Sequence, residues 1–302
     1  MSVRSLVNSQ PRPLGSLPPV GPLGYGQWRF TTDDLGAAQA VLETALDAGM
    51  NLVDTADVYG LDWGGRGFGE VEALLGRVLA AAPHLRERMV LATKGGIRPP
   101  VPYDSSAEWL RDACEQSLRR LEVDVIDLYQ IHRHDMFTHP ADLAATLGRL
   151  RDDGKIREVG VSNHTPAQVA ALQAHLPFPL VSNQPEFSAA TLGPLRDGTL
   201  DACMRDGLTP LAWSPLAGGR LGTGEGVRAE LVAALDRIAS REGVDRSCVA
   251  LAFVLAHPSA PVAIIGTQRP ERVKAATAAL DVHLDRADVY SIVEASEGVP
   301  LP

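Results

Sequence analysis

The chain has 302 residues, 45% of them hydrophobic, and a formal net charge of −9 at pH 7. That apolar content supports a large core and excludes a disordered chain, while the acidic balance argues against broad binding to nucleic acid or an anionic membrane. Three cysteines, Cys114, Cys203 and Cys248, are too few and too scattered for a disulfide framework, and no apolar run approaches the roughly 20 residues of a membrane span. The opening stretch MSVRSLVNSQPRPLGSLPP lacks the apolar centre of a signal peptide, so the expected location is the cytoplasm. An anionic ligand would need a local cluster of Arg and Lys.

Residues 1–19, rich in Pro, Ser and Gly, read as a lead-in segment that covers the bottom of the fold. A first strand is expected at 20–24, followed by Tyr25-Gly26-Gln27-Trp28-Arg29. Thr31 or Thr32 then caps a helix to about Ala48, with apolar positions at Ala37, Val41, Leu42, Ala45 and Leu46. The second strand, 51–54, ends in Asp54; Tyr59 follows in a loop that continues through LDWGGRGFGE, and a helix covers 71–82. Strand three is 89–94, ending in Lys94; a helix spans 105–121; strand four, 125–132, ends in His132. A helix at 140–152 leads to strand five, 155–161, which runs into Ser162-Asn163, and Thr165-Pro166 opens the next helix, Pro being harmless in a first turn. Strand six is 180–184, a helix spans 195–205, and strand seven is 208–213. The Gly-rich loop SPLAGGRLGTGEG, helices at 227–241 and 247–255, strand eight at 262–265 and a helix at 269–280 complete the alternation. Eight near-continuous apolar strands alternating with helices predict an α/β protein, a single-domain (β/α)8 TIM barrel.

In such a barrel the loops after the strands converge on one face, where catalytic groups sit. The strand ends supply Asp54 and Tyr59, Lys94, His132, Ser162-Asn163, Gln184, Trp213-Ser214 and Gly266-Thr267. A carboxylate, a phenol, an amine and an imidazole on three successive strands have a joint chemistry. An ammonium beside a phenol lowers its pKa from about 10, a carboxylate keeps a buried lysine charged, and an imidazole orients a carbonyl oxygen. Together they could protonate an oxygen that becomes negative in the transition state, and the missing nucleophile is most naturally a cofactor hydride.

VDTADVYG, the lysine of LATKGG, the histidine of LYQIHR, VGVSN, NQPEFS, AWSPLAGGRL and IIGTQRPERV resemble the aldo-keto reductase superfamily, over about residues 20–280. The resemblance implies a catalytic tetrad of Asp54, Tyr59, Lys94 and His132, with the tyrosine as general acid. It also implies that Ser162, Asn163 and Gln184 bond the nicotinamide carboxamide and that Trp213 stacks on the ring. Ser214, Leu216, Gly218 and Arg220 would follow the pyrophosphate, and Gly266, Thr267, Gln268 and Arg272 would surround the adenosine ribose phosphate. Arg272, with Arg269 nearby, favours NADPH, although many relatives carry a lysine where Gly266 stands. Competing structural roles are helix capping for Ser162 and Asn163, core packing for Trp213 and a solvated helix position for Arg272. Trp28, Trp63 and His134 are the substrate-pocket candidates.

The implied activity is NADPH-dependent reduction of a small-molecule aldehyde or ketone. The alternatives are NAD(P)+-dependent oxidation of a sugar or aldose, and a cofactor-binding regulatory subunit similar to those of potassium channels. His132-Arg133-His134 superficially matches the H-x-H ligands of metal-dependent barrel hydrolases, but strand six offers only Gln184 and strand eight no carboxylate, so no metal is expected.

Overall fold

The computed structural model describes residues 5–61 and 64–302. The lead-in folds into an antiparallel hairpin, β1 (Arg12–Leu14) and β2 (Leu17–Val20). Leu14, Leu17 and Val20 form one buried cluster with Leu52, Val90, Leu128, Val181, Leu211 and Val262 from the barrel interior. The hairpin therefore plugs the barrel's N-terminal end with apolar surface removed from water. Gly15 turns the hairpin at φ +60°, and a Cβ there would strike the side chains of Val181 and Glu158. Glu158 instead accepts a hydrogen bond from the Ser16 amide at 2.7 Å.

Eight strands close the barrel: β3 (Leu23–Gly26), β4 (Leu52–Asp54), β5 (Val90–Gly95), β6 (Ile126–Ile131), β7 (Ile156–Ser162), β8 (Ser182–Gln184), β9 (Thr209–Ala212) and β10 (Val262–Ile265). All neighbours pair in parallel, and β10 returns to β3. The (β/α)8 expectation is met, with one shifted boundary. The expected first strand began at Val20, but Val20 belongs to the hairpin. Pro22 has no N–H for a ladder, so the barrel strand starts at Leu23.

The helices are α1 (Leu35–Asp47), α2 (Glu70–Ala81), α3 (Ala107–Leu121), α4 (Pro140–Asp152), α5 (Pro166–Gln173), α6 (Gly193–Arg196), α7 (Thr199–Asp206), α8 (Arg220–Thr223), α9 (Ala229–Glu242), α10 (Arg246–Leu255), α11 (Pro270–Ala276) and α12 (Arg286–Glu297). Asp34, rather than Thr31 or Thr32, caps α1, its side chain accepting from the Ala37 amide. The helix expected at 195–205 is two, because Gly198 takes a left-handed φ of +81° between α6 and α7. α12 was not expected at all. It is nucleated by a capping box between Asp285 and Asp288 and pinned by Arg241, whose guanidinium bonds both Asp288 oxygens at 2.9 Å. Among the described residues no helix is long and apolar enough to cross a membrane.

Candidate active site

Side chains alternate along a strand, so residues two apart share a face. Leu52 on β4, Val90 and Ala92 on β5 and Leu128 on β6 belong to the inner apolar cluster. Two residues further along each strand, Asp54, Lys94 and Gln130 therefore turn into the barrel at its C-terminal mouth. His132 follows Gln130 by the same step. Tyr59 arrives from the loop after β4, which is held along the end of β5 by bonds from the Thr55 amide to the Ala92 carbonyl (2.9 Å) and from the Asp57 amide to the Lys94 carbonyl (3.1 Å).

Lys94 is fully buried, and its ammonium has three donors to place. They go to Asp54 Oδ2 at 2.7 Å, the Thr55 carbonyl at 2.8 Å and Tyr59 Oη at 3.1 Å. The second oxygen of Asp54 accepts from Gln130 Nε2 at 3.1 Å and Gln184 Nε2 at 2.9 Å. Because Tyr59 Oη accepts from lysine, its own O–H is left to donate elsewhere. The His132 ring stands edge-on to the Tyr59 ring, centroids 5.9 Å apart. Its buried Nδ1 has no partner among the described residues. The structure thus brings Asp54, Tyr59, Lys94 and His132 together.

Burial works against the charge on Lys94, but Asp54 and Tyr59 together outweigh it and hold the ammonium's pKa above its usual value. For Tyr59, burial raises the phenol pKa, Lys94 pulls it down and Asp54 pushes it back up; the net direction is upward. Lys94 pulls in the expected direction, but desolvation of the phenolate exceeds the pull of one ammonium already shared with a carboxylate. Burial, with Lys94 and Arg133 nearby, depresses the His132 pKa well below the usual imidazole range, so its ring is neutral at pH 7.

The remaining predicted residues fall into three groups. At the end of β7, Ser162 Oγ donates to the Gln184 carbonyl (3.0 Å), Asn163 Nδ2 donates to Ser162 Oγ (2.7 Å), and Trp213 Nε1 donates to Asn163 Oδ1 (2.9 Å). Asn163 is itself left-handed, φ +55°. This chain of bonds fixes the Trp213 ring, whereas Gln184 sends its amide nitrogen to Asp54. In the loop after β9, Ser214 Oγ accepts from the Gly218 amide at 2.9 Å, and Leu216 O accepts from Gly219 N at 2.9 Å. Arg220 is turned onto the carbonyls of Ala217 (3.0 Å) and Gly226 (3.3 Å), bracing the loop. Arg29 Nη2 bonds the Gly218 carbonyl at 3.1 Å, tying this loop to the one after β3. After β10, Thr267 Oγ1 accepts from the Arg269 amide, and Gln268 Oε1, on a half-buried side chain, accepts from the buried Tyr25 Oη (3.2 Å). Gly266 has room for a side chain, since an added Cβ would meet only the Gly26 carbonyl, at 3.6 Å. Arg272 is exposed on the first turn of α11 and forms no ion pair among the described residues.

Of the pocket candidates, Trp28 is 42% exposed beside Arg29, His134 stands against His164, and Trp63 lies outside the described residues. Sequence reasoning missed several side chains. Gln130 was signalled only by its place two residues before His132, on the same face of the strand. Gln27, wholly buried, has neither amide atom bonded among the described residues. The Arg133 guanidinium lies 5.9 Å over the Trp213 ring. Behind the barrel, Asp57 is wholly buried; burial and then Glu72 raise its pKa well above the usual range, while Arg120 bonds Glu72 at 2.7 Å. Among the described residues no three His, Cys, Asp or Glu side chains converge to hold a metal ion.

The profile of the Aldo/keto reductase family matches residues 22–297. A 6-dehydroglucose reductase of Novosphingobium aromaticivorans is 49% identical, over 94% of this chain and 94% of that one. A second protein of that name, from Agrobacterium fabrum, is 36% identical over 89% of this chain and 91% of its own. The crystal structure of the thermostable aldo-keto reductase Tm1743 with the inhibitor epalrestat superposes with a TM-score of 0.80 at 25% identity, covering 95% of this chain and 99% of that one. With that match across the barrel and Asp54, Tyr59, Lys94 and His132 assembled at its mouth, the chain belongs to the aldo/keto reductase family of oxidoreductases.

Proposed function

We propose that this chain reduces the carbonyl group of a sugar-derived aldehyde to the alcohol with NADPH, Tyr59 giving the proton. The observation that carries the reading is the triply satisfied Lys94 ammonium, which takes Tyr59 Oη as acceptor and leaves the phenol O–H to donate elsewhere. A general acid has to hold its proton before the step, and the raised phenol pKa keeps Tyr59 protonated at neutral pH. Neutral His132 can donate one N–H to the carbonyl oxygen and so position it. When bound, the dihydronicotinamide supplies the hydride to the carbonyl carbon, while Tyr59 protonates the oxygen.

The chain's own residues fit such a cofactor. The Trp213 ring is held at a fixed angle by Asn163, ready for a flat ring to lie against it. Gln27 offers a buried amide without a partner among the described residues, and Ser162, Asn163 and Gln184 border the same mouth. The loop after β9, with Ser214, Leu216, Gly218 and Arg220, borders a path for the pyrophosphate. Gly266, Thr267, Gln268 and Arg272 stand at the end of β10, where TIM barrels often hold a phosphate. On an acidic chain, exposed Arg269 and Arg272 favour the extra phosphate of NADPH. The three cysteines, all unpaired and buried, suit the cytoplasm.

The sugar is taken from the two relatives named for 6-dehydroglucose. The reverse reading, oxidation of a sugar, requires Tyr59 to accept a proton, and the upward pKa shift disfavours the phenolate near pH 7. The test follows NADPH consumption with 4-nitrobenzaldehyde and with glucose oxidised to the aldehyde at C6. Tyr59→Phe should lower the rate at least about 100-fold, the usual worth of a general acid, with NADPH affinity little changed. Equal turnover by the variant would remove Tyr59 from the step; NADPH binding without turnover would favour a regulatory subunit.

A further inference from the structure

His164 follows Asn163 at the end of β7 and is 3% exposed. Its Nδ1 lies 2.8 Å from the Ser162 carbonyl oxygen. A carbonyl only accepts, so Nδ1 carries the hydrogen, and Nε2 of the neutral ring is a bare lone pair. Burial pushes the His164 pKa down to about 4, so this tautomer holds at neutral pH. Nε2 is buried and has no partner among the described residues. Burial and the Nδ1 bond hold the ring, and the backbone on either side is fixed as well. Asn183 Nδ2 grips the His164 carbonyl at 2.9 Å, and the next residue, Thr165, is fixed in the capping box of α5.

An unmet buried acceptor costs its full desolvation, and an aromatic hydrocarbon of similar shape would fill this place without that cost. The His134 ring packs edge-on against the His164 ring, centroids 5.5 Å apart; it is partly exposed and lies two residues beyond His132. His134 thus joins a buried, unpartnered acceptor to the loop that begins at His132.

We propose that His164 is a specificity residue of the substrate pocket: when His134 turns aside, Nε2 of His164 accepts a hydrogen bond from a hydroxyl of the substrate near the reacting carbonyl. This rests on the carbonyl-reductase reading and adds to it that the pocket selects hydroxylated aldehydes over plain ones. A neutral acceptor also prefers a hydroxyl to a carboxylate or phosphate, which have no hydrogen to give.

The test compares kcat/KM for the C6 aldehyde of glucose and for 4-nitrobenzaldehyde in the wild type and His164→Phe. The expected result is a loss of about tenfold for the sugar, the worth of one neutral hydrogen bond, carried mainly in KM. The rate with 4-nitrobenzaldehyde stays unchanged. An equal loss on both aldehydes means a merely structural histidine and overturns the proposal, as does failure of the wild type to prefer the sugar. Failure of the wild type on every aldehyde overturns the reductase reading itself. Should His164→Phe not fold, the wild type labelled with 15N at histidine serves instead. Adding D-glucose with NADP+ should move the His164 Nε2 resonance upfield as it accepts a hydrogen bond, and an unmoved resonance refutes the proposal.

Discussion

Replacing Lys94 by methionine tests the electrostatics of the site directly. The ammonium is fully buried and 2.7 Å from Asp54 Oδ2, and both Asp54 oxygens are engaged. Methionine matches the stem's volume but strands the carboxylate in the barrel with only the two glutamine amides. Removing one member of a buried ion pair costs about 3–5 kcal/mol, because the remaining charge is left without its counter-ion. Here Gln130 and Gln184 stay in place to donate, which puts the expected loss near the lower end, about 3 kcal/mol at pH 7. The cost should shrink as pH falls, since a proton can neutralise the stranded carboxyl. In the wild type the sign is opposite at the alkaline end. The raised Lys94 pKa means its contribution is fully present below the unfolded value of 10.5 and is lost as pH rises through the folded one.

The assay is urea unfolding followed by circular dichroism at pH 7 and pH 5, beside NADPH turnover. Lys94→Met should lose both stability and activity. The double variant Asp54→Leu, Lys94→Met should recover most of the stability while remaining inactive, since apolar residues can replace a buried pair at little cost. A loss below about 1 kcal/mol for Lys94→Met, equal at both pH values, would refute the picture of a paired and desolvated ammonium.

Two further outcomes are expected. His164 is buried neutral with a pKa of about 4 against 6.5 in the unfolded chain, so the unfolded state binds the proton first on acidification. Stability should therefore fall by about 2 kcal/mol between pH 7 and pH 5 from this group, with a further loss from His132, and His164→Phe should flatten the urea-midpoint profile over that range. For the cofactor, Arg272→Ala should weaken NADPH about tenfold and NADH little, while Gly266→Lys, for which the backbone has room, should tighten NADPH alone; fluorescence titration that shows both nucleotides moving together would place the ribose phosphate elsewhere.

The barrel and its four central residues were legible because both follow from local rules. Apolar runs of strand length repeat at helical intervals, and Asp54, Lys94 and His132 break those runs where a strand has to end. The lead-in reads as a cover for the barrel floor, but its hairpin form, like α12, was not legible, for the opposite reason. The β1–β2 pair is short and proline-bearing, and it is stable only because the barrel floor accepts Leu14, Leu17 and Val20. α12 carries a capping box of two aspartates rather than a Ser or Thr with a Glu, and it depends on Arg241 from α9 to hold Asp288. Tertiary partners make these elements, so no window of sequence announces them.

The same distinction marks the limit of what residue type and position convey inside the site. Gln184 has the residue type and strand-end position of a carboxamide partner, and those two facts cannot tell which way the amide points. Once the barrel closes, β8 stands across from β4, and the buried Asp54 oxygen is the acceptor its nitrogen reaches, at 2.9 Å. Asp54 then collects one ammonium and two amides, which disperses its charge without neutralising it and lets Lys94 share its third donor with Tyr59. Were Asp54 to face Lys94 alone, the pair would tighten on itself and the phenol would lose its neighbour's hydrogen. The glutamines thus act on Tyr59 at second hand, through the carboxylate and then the lysine; if Tyr59 is the general acid proposed above, replacing either by leucine should move the pH–rate profile before it disturbs the fold.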